Sequence, residues 1–165
     1  MPRLYTVEFE AITLNAAGGD TDIFEFTPGA NTALELLSVE LAQSSEPTTE
    51  EEQLRLKVIR GHTTAGSAGA GGGQATPTPR PISPLDAAAS FSAKGNNATI
   101  ASAGTAVNLW SGTWNTRQPG PLWAPLPQGS GFFSAGSALL VLRLMAAVAD
   151  DITAFSGTAY LCEYP

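Results

Sequence analysis

Apolar and polar residues alternate with a period of two along most of this chain, the spacing of strands with one buried face. In "LYTVEFEAITL", Tyr5, Val7, Phe9 and Ala11 fall on one side and Thr6, Glu8 and Glu10 on the other. "AAGGD" then reads as a turn, and "DIFEFTP" as a short strand ended by Pro28-Gly29. In "ALELLSVELAQS", Leu37, Val39 and Leu41 share a face while Leu34 and Leu36 stand in the opposite phase, which predicts a bulge near Leu36-Leu37. Ala, Leu and Glu are also good helix formers, so a helix is the alternative for this segment. "EQLRLKVIRG" sends Leu54, Leu56 and Val58 inward and Arg55, Lys57 and Ile59 outward. Its two cations are expected to pair across a sheet with the glutamates of "ALELLSVEL", each exposed pair contributing roughly 0.2–1 kcal/mol.

The second half repeats the pattern more weakly. Strands are predicted at "ASFSA" around Phe91, at "NATIAS" around Ile100, and at "TAVNLW", where Val107 and Leu109 flank Asn108. "TWNTRQPGPLWAPLPQGSG" reads as an ordered loop, because Trp110, Trp114 and Trp123 are not left bare in water. "SALLVLRLMAAV" is a near-continuous apolar run that fits a central strand, and "TAFSGTAYLCEYP" closes the chain with Ala159 and Leu161 on one side. Seven to nine strands, no long helix and regularly spaced turn signals predict an all-β chain. The expected architecture is one antiparallel β-sandwich over residues 1–165, jelly-roll-like, with the first and last strands paired. Burial at roughly 25 cal/mol per Å² of apolar area is enough to stabilise a chain of this size on its own.

One stretch breaks the alternation. "TTAGSAGAGGGQATPTPRP", Thr63 to Pro81, could be a linker, a phosphate-cradling loop or an arm. A phosphate loop needs Gly-Lys-Ser/Thr to close it, and no lysine lies between Lys57 and Lys94. The strands on either side belong to one sandwich, which argues against a linker. Pro77, Pro79 and Pro81 alternate with Thr78 and Arg80, a stiff, polyproline-like segment behind flexible glycines. Long structureless loops are uncommon in compact domains, so residues 62–85 are expected to form an extended inter-subunit loop. In that reading Pro77 to Pro81 is ordered by another subunit and Gly66 to Gly73 is mobile; the alternative is a floppy surface insertion.

Composition sharpens this picture. Only 14% of the residues are charged, which leaves a surface of small neutral residues of the kind a partner covers. Residues 1–52 hold 11 of the 15 acidic residues and one basic residue, while residues 53–165 hold 4 acidic and 7 basic. That asymmetry suits a molecule that docks one way up, on neighbours or on copies of itself. The net charge of −7 argues against nucleic acid as a partner. The N-terminus has no secretory pattern, and the longest apolar run is interrupted by Arg143 and too short to span a bilayer, so no membrane partner is expected.

The chain offers little to a catalytic mechanism. His62, the single histidine, sits at the mouth of the glycine stretch, where a general base is poorly held. Cys162, the single cysteine, lies in an alternating strand that favours a packed, inert thiol, and excludes a disulfide framework within the chain. Two such residues do not make a His/Cys metal site. Glu50-Glu51-Glu52 and Asp150-Asp151 lack the alternating oxygens of a calcium loop and read as solvated charge. Asn97-Ala98-Thr99 matches a glycosylation acceptor, which carries no weight without a secretory signal. No enzyme activity, metal or cofactor is expected.

Taken in order, "LYTVEFE", "IFEFTP", "LRLKVIRGHTTAGSAG", "TPTPRPISPLDAAASFSAKGNNATIASAGT", "LWSGTWN" and "SGTAYLCEY" resemble a family of small virion proteins of tailed bacteriophages encoded among head genes. The resemblance spans nearly the whole chain. Its most specific parts are Pro77 to Pro81, Asp86-Ala87-Ala88, and Asn96-Asn97 with Thr99, while "TWNTRQPGPLWAPLP" is longer than the family's version. The resemblance implies a capsid decoration or cement protein on the virion surface, assembled in the host cytoplasm. Its implied partners are the major capsid protein and two further copies in a homotrimer. Pro77, Thr78, Pro79, Arg80, Pro81, Trp110, Trp114 and Trp123 are then the candidate contact residues. Two other classes stay open: a glycan- or host-surface-binding sandwich that stacks sugars on tryptophan, and a glycan hydrolase with dispersed carboxylates.

Overall fold

The structure is a computed structural model of the 165-residue chain and describes residues 1–14, 19–44, 53–68, 75–118, 120–145 and 154–165. The acidic run Glu50-Glu51-Glu52 and the pair Asp150-Asp151 lie outside the described residues, as do residues 69–74 of the glycine stretch.

Among the described residues the chain forms strands and no helix, in two antiparallel sheets that pack face to face. The first four long strands are β1 (Arg3–Ile12), β2 (Thr21–Thr27), β3 (Ala33–Gln43) and β4 (Gln53–His62). They alternate between the sheets, so each connection crosses from one layer to the other. The remaining strands are β5 (Arg80–Pro81), β6 (Ser92–Asn97), β7 (Val107–Asn115), β8 (Gly120–Pro121), β9 (Phe132–Ala135), β10 (Leu139–Leu144) and β11 (Phe155–Tyr164). One sheet runs β5-β1-β11-β3-β8, with β9 also on β3; the other runs β6-β2-β10-β4-β7. Both late strands are central, as the near-continuous apolar run of β10 predicts for that strand. β10 is buried along its whole length, and β11 lies between β1 and β3. The first and last strands pair, with Tyr5 opposite Leu161 and Val7 opposite Ala159.

The core is the shared inner surface. Phe9 of the first sheet meets Phe24 of the second at 4.9 Å between ring centroids, and Phe155 meets Trp114 edge-on at 5.7 Å. Leu54, Leu56 and Val58 are buried inward as expected, beside Leu140, Leu142 and Leu144.

Four expectations change. The bulge in β3 falls at Leu37: Tyr160 faces Ser38 and Leu161 faces Leu36, which leaves Leu37 as the extra residue. It turns out to the half-exposed face and does not join Val39 and Leu41. Ala11 leaves the inner face of β1 because a register shift lies between Phe9 and Ile12, with Ala11 at φ 50°. The expected pairs between Arg55 or Lys57 and the glutamates of β3 do not form, since β3 and β4 belong to different sheets. Around Ile100 there is no strand, only isolated bridges at Thr99 and Ser102.

Candidate functional site

The buried carboxylates come first, because buried charge is costly and has to be answered by donors. Asp22 on β2 is fully buried and takes a two-point contact from Arg143 on β10, at 2.6 Å from Nε and 3.2 Å from Nη2. It also accepts the Ala101 N–H at 2.6 Å, and Arg143 returns a bond to the Ala101 carbonyl at 2.9 Å. Burial raises the Asp22 pKa against the pull of Arg143. Glu25 accepts the Gly66 N–H at 2.7 Å and the Asn97 amide at 3.3 Å, while its Oε1 has no hydrogen-bond partner. Its pKa is also raised, first by burial. Glu35 on β3 accepts N–H bonds from Gly131 at 2.6 Å and Gly129 at 3.1 Å, and the Tyr164 hydroxyl at 2.6 Å. Burial and that bond raise the Tyr164 pKa. Glu163 holds Ser90 through its N–H at 2.9 Å and its hydroxyl at 2.6 Å.

All four carboxylates therefore do one job: each fixes a loop to a strand. Two of the loops need glycine for this. A Cβ on Gly66 would lie 2.5 Å from the Thr99 carbonyl oxygen, and one on Gly131 would lie 2.6 Å from that of Leu36. The glycine stretch thus begins as an anchored lid on the outer face of the five-stranded sheet. Thr64 pairs with Ser102 and Ser67 with Thr99, and Ala101, Leu139 and Val141 form a small apolar cluster. Gly66 is pinned where a mobile hinge was expected to start. Asn97, in the glycosylation-like triplet, is fully buried.

The proline-rich segment also lies on its own chain. Ala75 exchanges two backbone hydrogen bonds with Gly95 of β6, and Arg80 and Pro81 then pair with Thr6 and Tyr5 of β1. β6 and β1 are at the same side of the two sheets, so the segment spans the open edge of the sandwich. Proline suits an outermost strand, where its missing N–H faces no ladder. Pro77, Pro79 and Pro81 are half-buried, and Thr78 and Arg80 are exposed.

The tryptophans close the opposite edge. Trp110 and Trp114 lie on β7, Trp114 is buried, and its indole N–H donates to the Gln118 carbonyl at 2.8 Å. Trp123 packs on Trp110 at 5.1 Å and on Phe132 at 5.3 Å. Its indole N–H and the Leu126 N–H both donate to the carbonyl of Leu37, the bulge residue. Residues 122–131 thereby become a strap across part of the outer face of the six-stranded sheet, with the Gln128 amide on the Cys162 sulfur at 3.0 Å. Cys162 is fully buried, and burial raises its pKa. His62 ends β4 with Nδ1 3.2 Å from the Ala103 carbonyl oxygen. Among the described residues neither side chain is hydrogen-bonded to a base: His62 meets a backbone carbonyl and Cys162 the Gln128 amide.

What the strap leaves open is a trough along the outer side of β11. At one end a groove of about 250 Å³ is walled by Leu4 and Ile82 on one side and Pro125 and Leu126 on the other. Leu37, Ser38 and Tyr160 line it. Leu4 and Ile82 are 39% and 53% exposed. Further along β11 the trough meets Glu8 and Glu40, which flank Thr158, and then Glu10 near Ser156, all exposed; Glu40 also borders the groove itself. No family model, curated protein or solved structure matches this chain. The trough was not legible as a site in the sequence, because Ile82, Pro125 and Leu126 reach it from loops remote in the chain. The one available signal was the phase change at Leu37, which marks where β3 releases a carbonyl to hold the strap.

Proposed function

We propose that this protein is a non-catalytic structural component of a tailed-phage head, a capsid decoration (cement) protein that works as a homotrimer. The observation that carries the reading is the exposed apolar rim of Leu4 and Ile82 beside the groove on the outer face of the six-stranded sheet. Exposed apolar side chains gathered beside a groove mark a surface that another protein covers. The strand order supports a jelly-roll form of the sandwich: 1-11-3-8 faces 2-10-4-7, with consecutive early strands in opposite sheets. Jelly rolls are common among viral shell proteins, an analogy of fold alone, and the sequence resemblance to phage virion proteins supplies the setting. A cement protein stabilises by mass action: it binds the assembled shell and not its separated parts. Loops fixed by buried carboxylates suit that task, since little ordering entropy remains to be lost on docking.

The glycan reading needs a tryptophan face free to stack on sugar, and Trp114 is buried while Trp110 and Trp123 pack on each other. The test is the particle. Purified virions should contain the protein at a copy number comparable with the capsid protein, and particles lacking it should release DNA at a lower temperature. Its absence from virions overturns the proposal.

A further inference from the structure

We infer that the trough on the outer face of β11 takes an extended protein segment with apolar side chains at one end and Lys or Arg at the other. The floor runs from Tyr160 through Thr158 to Ser156. Its flanking strands β1 and β3 are two strand spacings apart, about 10 Å, so a single extended chain fits between their outward side chains. From Ser156 to Tyr160 the floor is roughly 14 Å long, matching about four to five extended residues.

The two ends differ in chemistry. The Leu4, Ile82, Pro125 and Leu126 end offers apolar walls. The other offers Glu8 and Glu40 on either side of Thr158 and Glu10 near Ser156, with Glu40 also bordering the apolar end, and among the described residues none of the three is in an ion pair. Arg80 stands opposite Thr6 at the trough's edge, so the acidic excess lies toward Glu10. An independent sign of an occupant is Ser38. Its side chain lines the groove at 3% exposure, and its hydroxyl has no hydrogen-bond partner. A buried hydroxyl left unpaired costs about 1–3 kcal/mol, which a backbone group of a seated segment would relieve. The segment would come from the partner; this chain's own proline-rich stretch is already held on the β1 edge.

This inference rests on the reading that the face docks on a protein, but it can fail separately: virions can contain the protein while the trough binds nothing of this kind. The test is selection from a random-peptide display library on the full-length protein. Enriched peptides should carry apolar residues followed by Lys or Arg. A synthesised enriched peptide should bind at least about tenfold more weakly to Leu126→Glu and to Glu40→Lys, and several-fold more weakly to Ser38→Ala. Lys57→Glu, on the opposite sheet, should leave binding unchanged. Glu40 is exposed, so its variant reads the site even if Leu126→Glu does not fold. No enrichment, or peptides indifferent to both variants, overturns the inference. So does self-association of the wild type that Leu126→Glu abolishes while no peptide binds, because the occupant is then a second copy.

Discussion

At the scale of single residues, the carboxylates organise the molecule. Glu25 is the most informative, since it is buried, lacks an ion pair, and keeps one oxygen without a partner. Gly66 and Asn97 donate to it, Lys94 lies across the ladder, and Asp22 adds a like charge. Burial dominates, so its folded pKa lies above that of the unfolded chain. The folded state therefore holds this proton more tightly. The stability it contributes is full below the ordinary carboxylate range and is lost as pH rises through the folded pKa. Glu25→Gln keeps an acceptor for the Gly66 N–H and removes the buried charge. Thermal melts across pH should show the variant gaining most over wild type at neutral pH, with the gap closing on acidification. A gap of constant size would mean that Glu25 titrates normally. These roles were only partly legible. Arg143 interrupts an apolar run and Asp22 opens a short apolar strand, which flags both as unusual. Nothing local pairs them, because the pairing depends on two strands 121 residues apart becoming neighbours.

At the scale of elements, alternation was enough to locate the long strands but not to exclude one around Ile100, and the phase change at Leu36-Leu37 was enough to place a bulge. Assignment of strands to sheets was not legible, and the misplaced Arg55 and Lys57 pairs show why. Periodicity reports which face is buried, and an outward face looks the same in either layer of a sandwich. The anchors of the glycine- and proline-rich stretch were not legible for a related reason. Its composition indicates freedom in the unfolded chain, while its anchors are remote groups: the Glu25 carboxylate, the Thr99 carbonyl and the β1 edge. The lid makes a sharp prediction. Gly66→Ala drives a Cβ against the Thr99 carbonyl oxygen and separates the Gly66 N–H from Glu25. The expected cost is about 1–3 kcal/mol in denaturant unfolding. Amide exchange should also quicken at Ser67 and Thr99, whose N–H groups are paired across the lid. If exchange there is unchanged, the lid does not depend on the Gly66–Glu25 contact.

At the scale of the whole molecule, the charge asymmetry seen along the chain becomes an asymmetry between faces. Glu8, Glu10 and Glu40 line the outer side of the six-stranded sheet, and Arg55 and Lys57 lie on the outer side of the other. Those two cations share a depression with Asp20, Ser111 and Thr113. A molecule with opposed faces of opposite sign approaches a charged surface in one orientation, and the effect weakens with salt. If the trough face docks on the shell, combining Glu8→Lys, Glu10→Lys and Glu40→Lys should slow association with particles stripped of the protein and reverse its salt dependence. Combining Arg55→Glu with Lys57→Glu should leave docking intact, because that face then points away. The comparison is read from association rates at low and high salt. Exposed substitutions of this kind disturb stability little, so a lost response reports orientation and not unfolding. The opposite result, with docking lost only when Arg55 and Lys57 are reversed, would place the basic face against the shell and turn the trough outward.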